Sequence, residues 1–168
     1  MRSTALARIA VGVVVERREA VSMWVDFLWR PVSVFVGNAS AAPWTPLGAE
    51  AEATLFYAGK AVIELHRTET QNYRNNLASG APALWVVLRP AASERPYELV
   101  AVTADPAEGE AFTDAGSNLV ETVPMPPDVA AAVARFIADH HVEQPFIKRR
   151  RRPFEPAFAG RRHTGDEE

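Results

Sequence analysis

Cysteine is absent from the 168 residues, and that absence removes several classes of chemistry at once. A disulfide scaffold, a thiolate zinc site, a cysteine nucleophile and a self-ligated iron–sulfur cluster are all excluded. Long apolar runs are missing too. The clearest candidate, Ile9-Ala10-Val11-Gly12-Val13-Val14-Val15, falls far short of the ~20 apolar residues a membrane helix needs. It is also at the short limit for a signal core, and Glu16-Arg17-Arg18-Glu19 follows where a small-residue cleavage site belongs. The run is therefore expected to be a buried strand, with no membrane insertion. The lack of cysteine fits a cytoplasmic location. Glycine is scarce beside proline, nine against thirteen, which suggests stiff turns. There is no Walker loop, no Gly-x-Gly-x-x-Gly after the first strand, no Gly-x-Ser-x-Gly elbow and no zinc-protease helix. The common nucleotide, hydrolase and metalloprotease classes are disfavoured, and the motifs themselves call for no cofactor.

What is present is an ordinary globular composition, 48% hydrophobic and 23% charged. Val11, Val13 and Val15 suit a strand covered on both faces. From Ser22 the chain alternates, with Met23, Val25, Phe27 and Trp29 on one side and Trp24, Asp26, Leu28 and Arg30 on the other. Pro31 marks an edge or bend before Val32–Val36. Residues 39–52 read as a loop pinned by Pro43, Pro46 and Trp44. Ala53–Tyr57 and Ala61–Arg67 read as two strands joined by a hairpin turn at Ala58-Gly59-Lys60. Thr68 and Gln71 have capping-box spacing, predicting a helix to about Leu77. Ala83–Arg89 and Tyr97–Thr103 read as strands. Asp105 with Glu108, and Pro106 at the first helical position, predict a short helix. A last strand over Asn118–Val123 precedes a long helix carrying Val129, Ala132, Val133, Phe136 and Ile137 as its apolar stripe. The expected fold is α+β, a mainly antiparallel sheet of about six to seven strands with two short helices and a longer C-terminal one.

Charge divides the chain into a single domain over 1–147 and a basic tail over 148–168. The tail carries seven basic and four acidic residues, while the body carries eleven and seventeen, a net −6. The run Lys148-Arg149-Arg150-Arg151-Arg152 is expected to act as an electrostatic arm toward an acidic protein partner. A nucleic acid is disfavoured, because the folded part is acidic and the tail has only Phe154 and Phe158 to stack. An exposed β-edge would allow a dimer, although nothing in the pattern demands one.

Three clusters are candidates for ligand or partner binding. Glu64 and His66 share one strand face, beside Arg67 and Glu69, and imidazole is suited to proton transfer near neutrality. Their simpler reading is the polar face of a half-solvated strand. His140 and His141 lie roughly 100° apart around a helix, a geometry that favours structural capping over a shared metal ion, and no metal is expected. Arg17, Arg18, Arg30 and Arg89, with Trp29 and other rings, would suit a flat anionic ligand, since guanidinium forks grip phosphate and rings stack on heterocycles.

Several segments, in order, carry a family resemblance. They are Val11–Arg18, Trp29-Arg30-Pro31-Val32, Glu64–Thr70, Asn76-Leu77, Val86–Arg89, Val123–Pro126 and His140–Glu143, followed by the basic run after Phe146. Together they resemble an uncharacterised proteobacterial family, a domain of unknown function whose members are encoded beside molybdenum-dependent formate dehydrogenase. Some members are named molybdopterin-guanine dinucleotide biosynthesis protein A. The nucleotidyltransferase of that name opens with a glycine-rich phosphate loop, whereas here Glu16-Arg17-Arg18-Glu19-Ala20 follows the first strand. The resemblance implies a non-enzymatic accessory or maturation factor for a molybdoenzyme such as formate dehydrogenase, acting through protein contacts. The alternative is a binding protein or enzyme for a planar anion such as a molybdopterin-type nucleotide. In that case Arg17, Arg18, Arg30, Arg67 and Arg89 would converge on phosphate, with Glu64 and His66 available for proton transfer.

Overall fold

The valine run forms the spine of the molecule. In the computed structural model, which describes residues 4–37, 39–114 and 116–142, Val11, Val13 and Val15 are fully buried within β1 (Ala7–Glu19). Strand β1 pairs antiparallel with β2 (Phe27–Val36) on one side and β4 (Ala53–Leu65) on the other, and β3 (Thr45–Glu50) extends the sheet beyond β4. A second antiparallel sheet has β5 (Ala83–Pro90) between β6 (Tyr97–Thr103) and β7 (Leu119–Pro124). Strand β6 lies beside β4 and β7 beside β2. The two edge strands of the second sheet therefore lie against β4 and β2 of the first, and the two sheets share one core, to which Val34, Ile63, Leu65, Leu84, Val86, Leu88 and Val123 contribute. Removing each such side chain from water contributes about 1.5–3 kcal/mol.

Three helices cover one end. A 3₁₀ turn at Arg67–Glu69 leads into α1 (Thr70–Leu77), which packs on α3 (Pro127–His140) with the Tyr73 and Phe136 rings edge-on at 6.1 Å. Helix α3 buries Val129, Val133 and Phe136, the stripe its sequence predicts. Helix α2 (Pro106–Thr113) begins as its sequence predicts, with Pro106 in the first turn and the Asp105 side chain accepting the Ala107 and Glu108 amides at 2.9 and 3.4 Å. It then lies so close to β5 that a Cβ on Gly109 would sit 2.2 Å from the Trp85 ring. The α+β class thus stands, with the seven strands divided between two sheets.

Local differences from the sequence reading have physical causes. Residues 53–65 form one strand where a hairpin was expected, because both halves pair with β1. The register passes from Val13↔Gly59 to Val14↔Tyr57, leaving Ala58 as a bulge. Gly59 takes φ +136° there, a conformation L side chains rarely adopt. The segment expected to be a loop contains β3, held by its ladder to β4 despite Pro46 and Gly48. The alternation from Ser22 yields a strand only from Phe27, since pairing with β1 ends at Glu19↔Phe27. Thr68 caps no helix amide; its hydroxyl reaches the Glu69 carboxylate at 3.3 Å. The arm Lys148–Arg152 and the domain boundary at 147 lie outside the described residues.

Candidate functional site

The end of the molecule under the helices is a polar junction. Asn76 is buried at the C-terminal end of α1 and replaces missing ladder bonds. Its amide donates to the Ala83 and Ala104 carbonyls at 2.8 and 2.9 Å, and its oxygen accepts the Ala83 amide at 3.0 Å. One turn earlier, Asn72 donates to both Glu69 and Asp105 at 3.0 Å. The Tyr73 hydroxyl accepts the His66 amide at 2.9 Å, and burial pushes its pKa up to about 12. Glu108 stands beside this group, and its carboxyl is raised above its ordinary 4.5, first by desolvation and then by the Asp105 charge.

Glu64 and His66, read from the sequence as sharing one strand face, lie side by side: Glu64 Oε2 is 3.6 Å from His66 Nε2, and Glu64 Oε1 is 3.9 Å from Arg8. The other ring nitrogen of His66 is 3.2 Å from the Thr4 hydroxyl. Among the described residues no group of His, Asp and Glu side chains is arranged to hold a metal ion. The His140 ring lies against the Phe136 ring, 4.5 Å between centroids and tilted by 42°. His141 ties helix to helix, with its ring 2.9 Å from the Thr70 hydroxyl and 3.3 Å from the Arg74 guanidinium.

The arginines follow a different pattern from the convergent set expected for a phosphate. Glu16, Arg18 and Arg30 share one face of the first sheet. The Glu16 carboxylate, largely buried, accepts from Arg18 at 3.0 Å and Arg30 at 2.9 Å. Arg17 points to the opposite face and lies over the Phe27, Phe56 and Trp29 rings at 4.5, 5.1 and 5.8 Å. Arg17 and Arg18 border one surface cavity of about 590 Å³ along with Glu19 and Glu52, and Arg30, Arg67 and Arg89 do not. Arg67 sits exposed in the 3₁₀ turn, and Arg89 lies exposed on β5 opposite Glu98. Trp29 is half-buried and central: it contacts Phe56, Trp44, Tyr97 and Phe27 at ring separations of 5.5 to 6.5 Å.

The far end of β1 is the reverse of the junction. Residues 20–26 form the β1–β2 loop, closed by a bond from the Ala20 amide to the Asp26 carbonyl at 3.1 Å. The Trp24 amide donates to Ser22 Oγ at 3.2 Å. On this braced loop Met23 is 94% and Trp24 90% exposed, Val21 is fully exposed, and Val25 and, on the adjoining strand, Leu28 are exposed as well. Period-two alternation concealed the tip in the sequence. The usable signal was an apolar stretch with no strand partner once β1 ended.

Residues 10–151 match the family described as Protein of unknown function (DUF3305). The chain belongs to this family. The match spans all seven strands except the first residues of β1, and all three helices, so the tip and the junction both lie within the family's extent. No curated protein and no solved structure matches the chain.

Proposed function

We propose that the protein is a non-enzymatic accessory factor that works by docking on another protein. The observation that carries this reading is the apolar tip of the β1–β2 hairpin. Isolated surface apolar residues are ordinary, but a braced loop holding tryptophan, methionine and valine together in water has the composition of an interface anchor. The basic run Lys148–Arg152 supports the same reading: it would steer an acidic partner toward an anchor whose own domain is acidic.

The partner we propose is a molybdoenzyme or one of its maturation factors, formate dehydrogenase first, on the strength of the sequence resemblance. The test is affinity capture by the full chain from a formate-grown host, followed by identification of formate dehydrogenase subunits and maturation factors. Retention by the wild-type chain, loss on Met23→Ser with Trp24→Ser, and weakening with rising salt are the expected results. Passage of these subunits and factors through unretained would overturn the choice of partner. Undiminished retention by the double variant would overturn the docking site.

A further inference from the structure

A second surface differs in kind from the tip. Between the segment leading into β3, the bulge of β4 and the β5–β6 turn lies a cleft of about 710 Å³, within the range of small-molecule sites. Trp44 and Tyr97 supply its aromatic wall, and Lys60, Arg95 and Glu98 its charges. The buried Ala58 and Gly59, at the β4 bulge, contribute no bulk to its floor.

Three features make this a built site. Trp44 has φ +68°, a conformation unfavourable for a bulky residue, and its amide is tied to the Tyr57 carbonyl. Both wall rings are backed by one support, with Trp29 5.9 Å from Trp44 and 6.4 Å from Tyr97. Finally, neither Lys60 nor Arg95 makes a side-chain ion pair among the described residues, unlike Arg18 and Arg30, which are both held by Glu16.

We infer that this cleft binds a small molecule consisting of a flat ring and an anionic group. The ring stacks on Trp44 and Tyr97, the anion is held by Lys60 and Arg95, and Glu98 accepts a ring N–H where there is one. This site is independent of the docking tip, and its residues are not the arginines expected from the sequence. A phosphate or a carboxylate satisfies the same chemistry, so the probes separate the two.

The experiment follows the indole N–H signals of the four tryptophans of the full chain, assigned by single Trp→Phe replacements. The additions are AMP, adenosine, ribose 5-phosphate and indole-3-acetate. Movement of Trp44, with Trp24 unmoved, is expected with AMP for a phosphate ligand or with indole-3-acetate for a carboxylate ligand. Adenosine and ribose 5-phosphate, each with half of the recognised chemistry, should bind far more weakly than AMP. Lys60→Gln with Arg95→Gln should weaken the active probe at least about tenfold, as expected for loss of a charge-assisted bond. No Trp44 movement with either anion-bearing probe would overturn the site. Where AMP is the active probe, equal movement with adenosine or ribose 5-phosphate would do the same, and so would unchanged affinity of the active probe in the double variant.

Discussion

The two ends of β1 solve opposite problems. At the Ala7 end, where β1 meets Leu65, the chain buries polar groups and pairs each of them: Asn76 with three backbone groups, Asp105 with two amides and Asn72, Tyr73 with His66. Among the described residues no buried side-chain polar atom lacks a partner. Roughly 40 Å away along the strand, the other end leaves Met23, Trp24 and Val21 in water. An unpaired buried polar group costs about 1–3 kcal/mol, so the junction must be complete for the fold to hold. Exposed apolar groups cost the isolated fold little, and their burial contributes only when a partner arrives. The paired polar groups lie at one end, and the docking surface we propose lies at the other.

Substitutions at each end put this contrast to the test. The largest effect is expected at Asn76. Asn76→Ala strands the Ala83 amide and the Ala83 and Ala104 carbonyls, and should lower unfolding free energy by about 2–4 kcal/mol in urea titration. Asp105→Ala, which removes the α2 cap and a partner of Asn72, should cost about 1–2 kcal/mol in the same measurement.

A smaller effect, of opposite sign, is expected at Glu108. Its carboxyl is raised in the folded state, so its contribution is intact below the ordinary 4.5 and is lost as pH rises through the raised value. Glu108→Gln should therefore stabilise the protein at neutral pH, by about 0.5 kcal/mol or less after solvent screening. The gain should vanish below pH 4.5 in a pH series of thermal melts. Last, Met23→Ser with Trp24→Ser should leave stability within about 0.5 kcal/mol of wild type while abolishing capture of the partner. A large loss of stability at the tip would erase the division of labour between the two ends.

Much of the fold was legible because its signals are local. The Asp105-Pro106 start of α2, the 3.6-residue stripe of α3 and the β-branched runs of β1 and β5 each specify themselves within a few residues. The misread segments were those whose structure depends on a distant partner. Ala58-Gly59-Lys60 has turn composition, yet β1 runs past it and converts the turn into a bulge. Residues 45–50 contain a proline and a glycine, yet β4 offers them a ladder. Met23 to Val25 alternates like a strand, yet no neighbour remains to pair with it. Among the candidate residues, the Glu64–His66 pair followed from strand alternation. The separation of Arg17 from Arg18 and Arg30 follows from the same alternation, which assigns neighbouring positions to opposite faces. The cleft wall, built from Trp44 and Tyr97 on the common support of Trp29, joins segments more than fifty residues apart.

The class of fold, the buried spine, the start of α2 and the charge division between body and tail all follow from residue type and short-range spacing. Which polar groups are sealed, which arginines Glu16 holds and which apolar side chains stay in water do not follow from local spacing. Those outcomes depend on which strands find each other, and pairing energy is realised only when chain segments far apart in sequence meet.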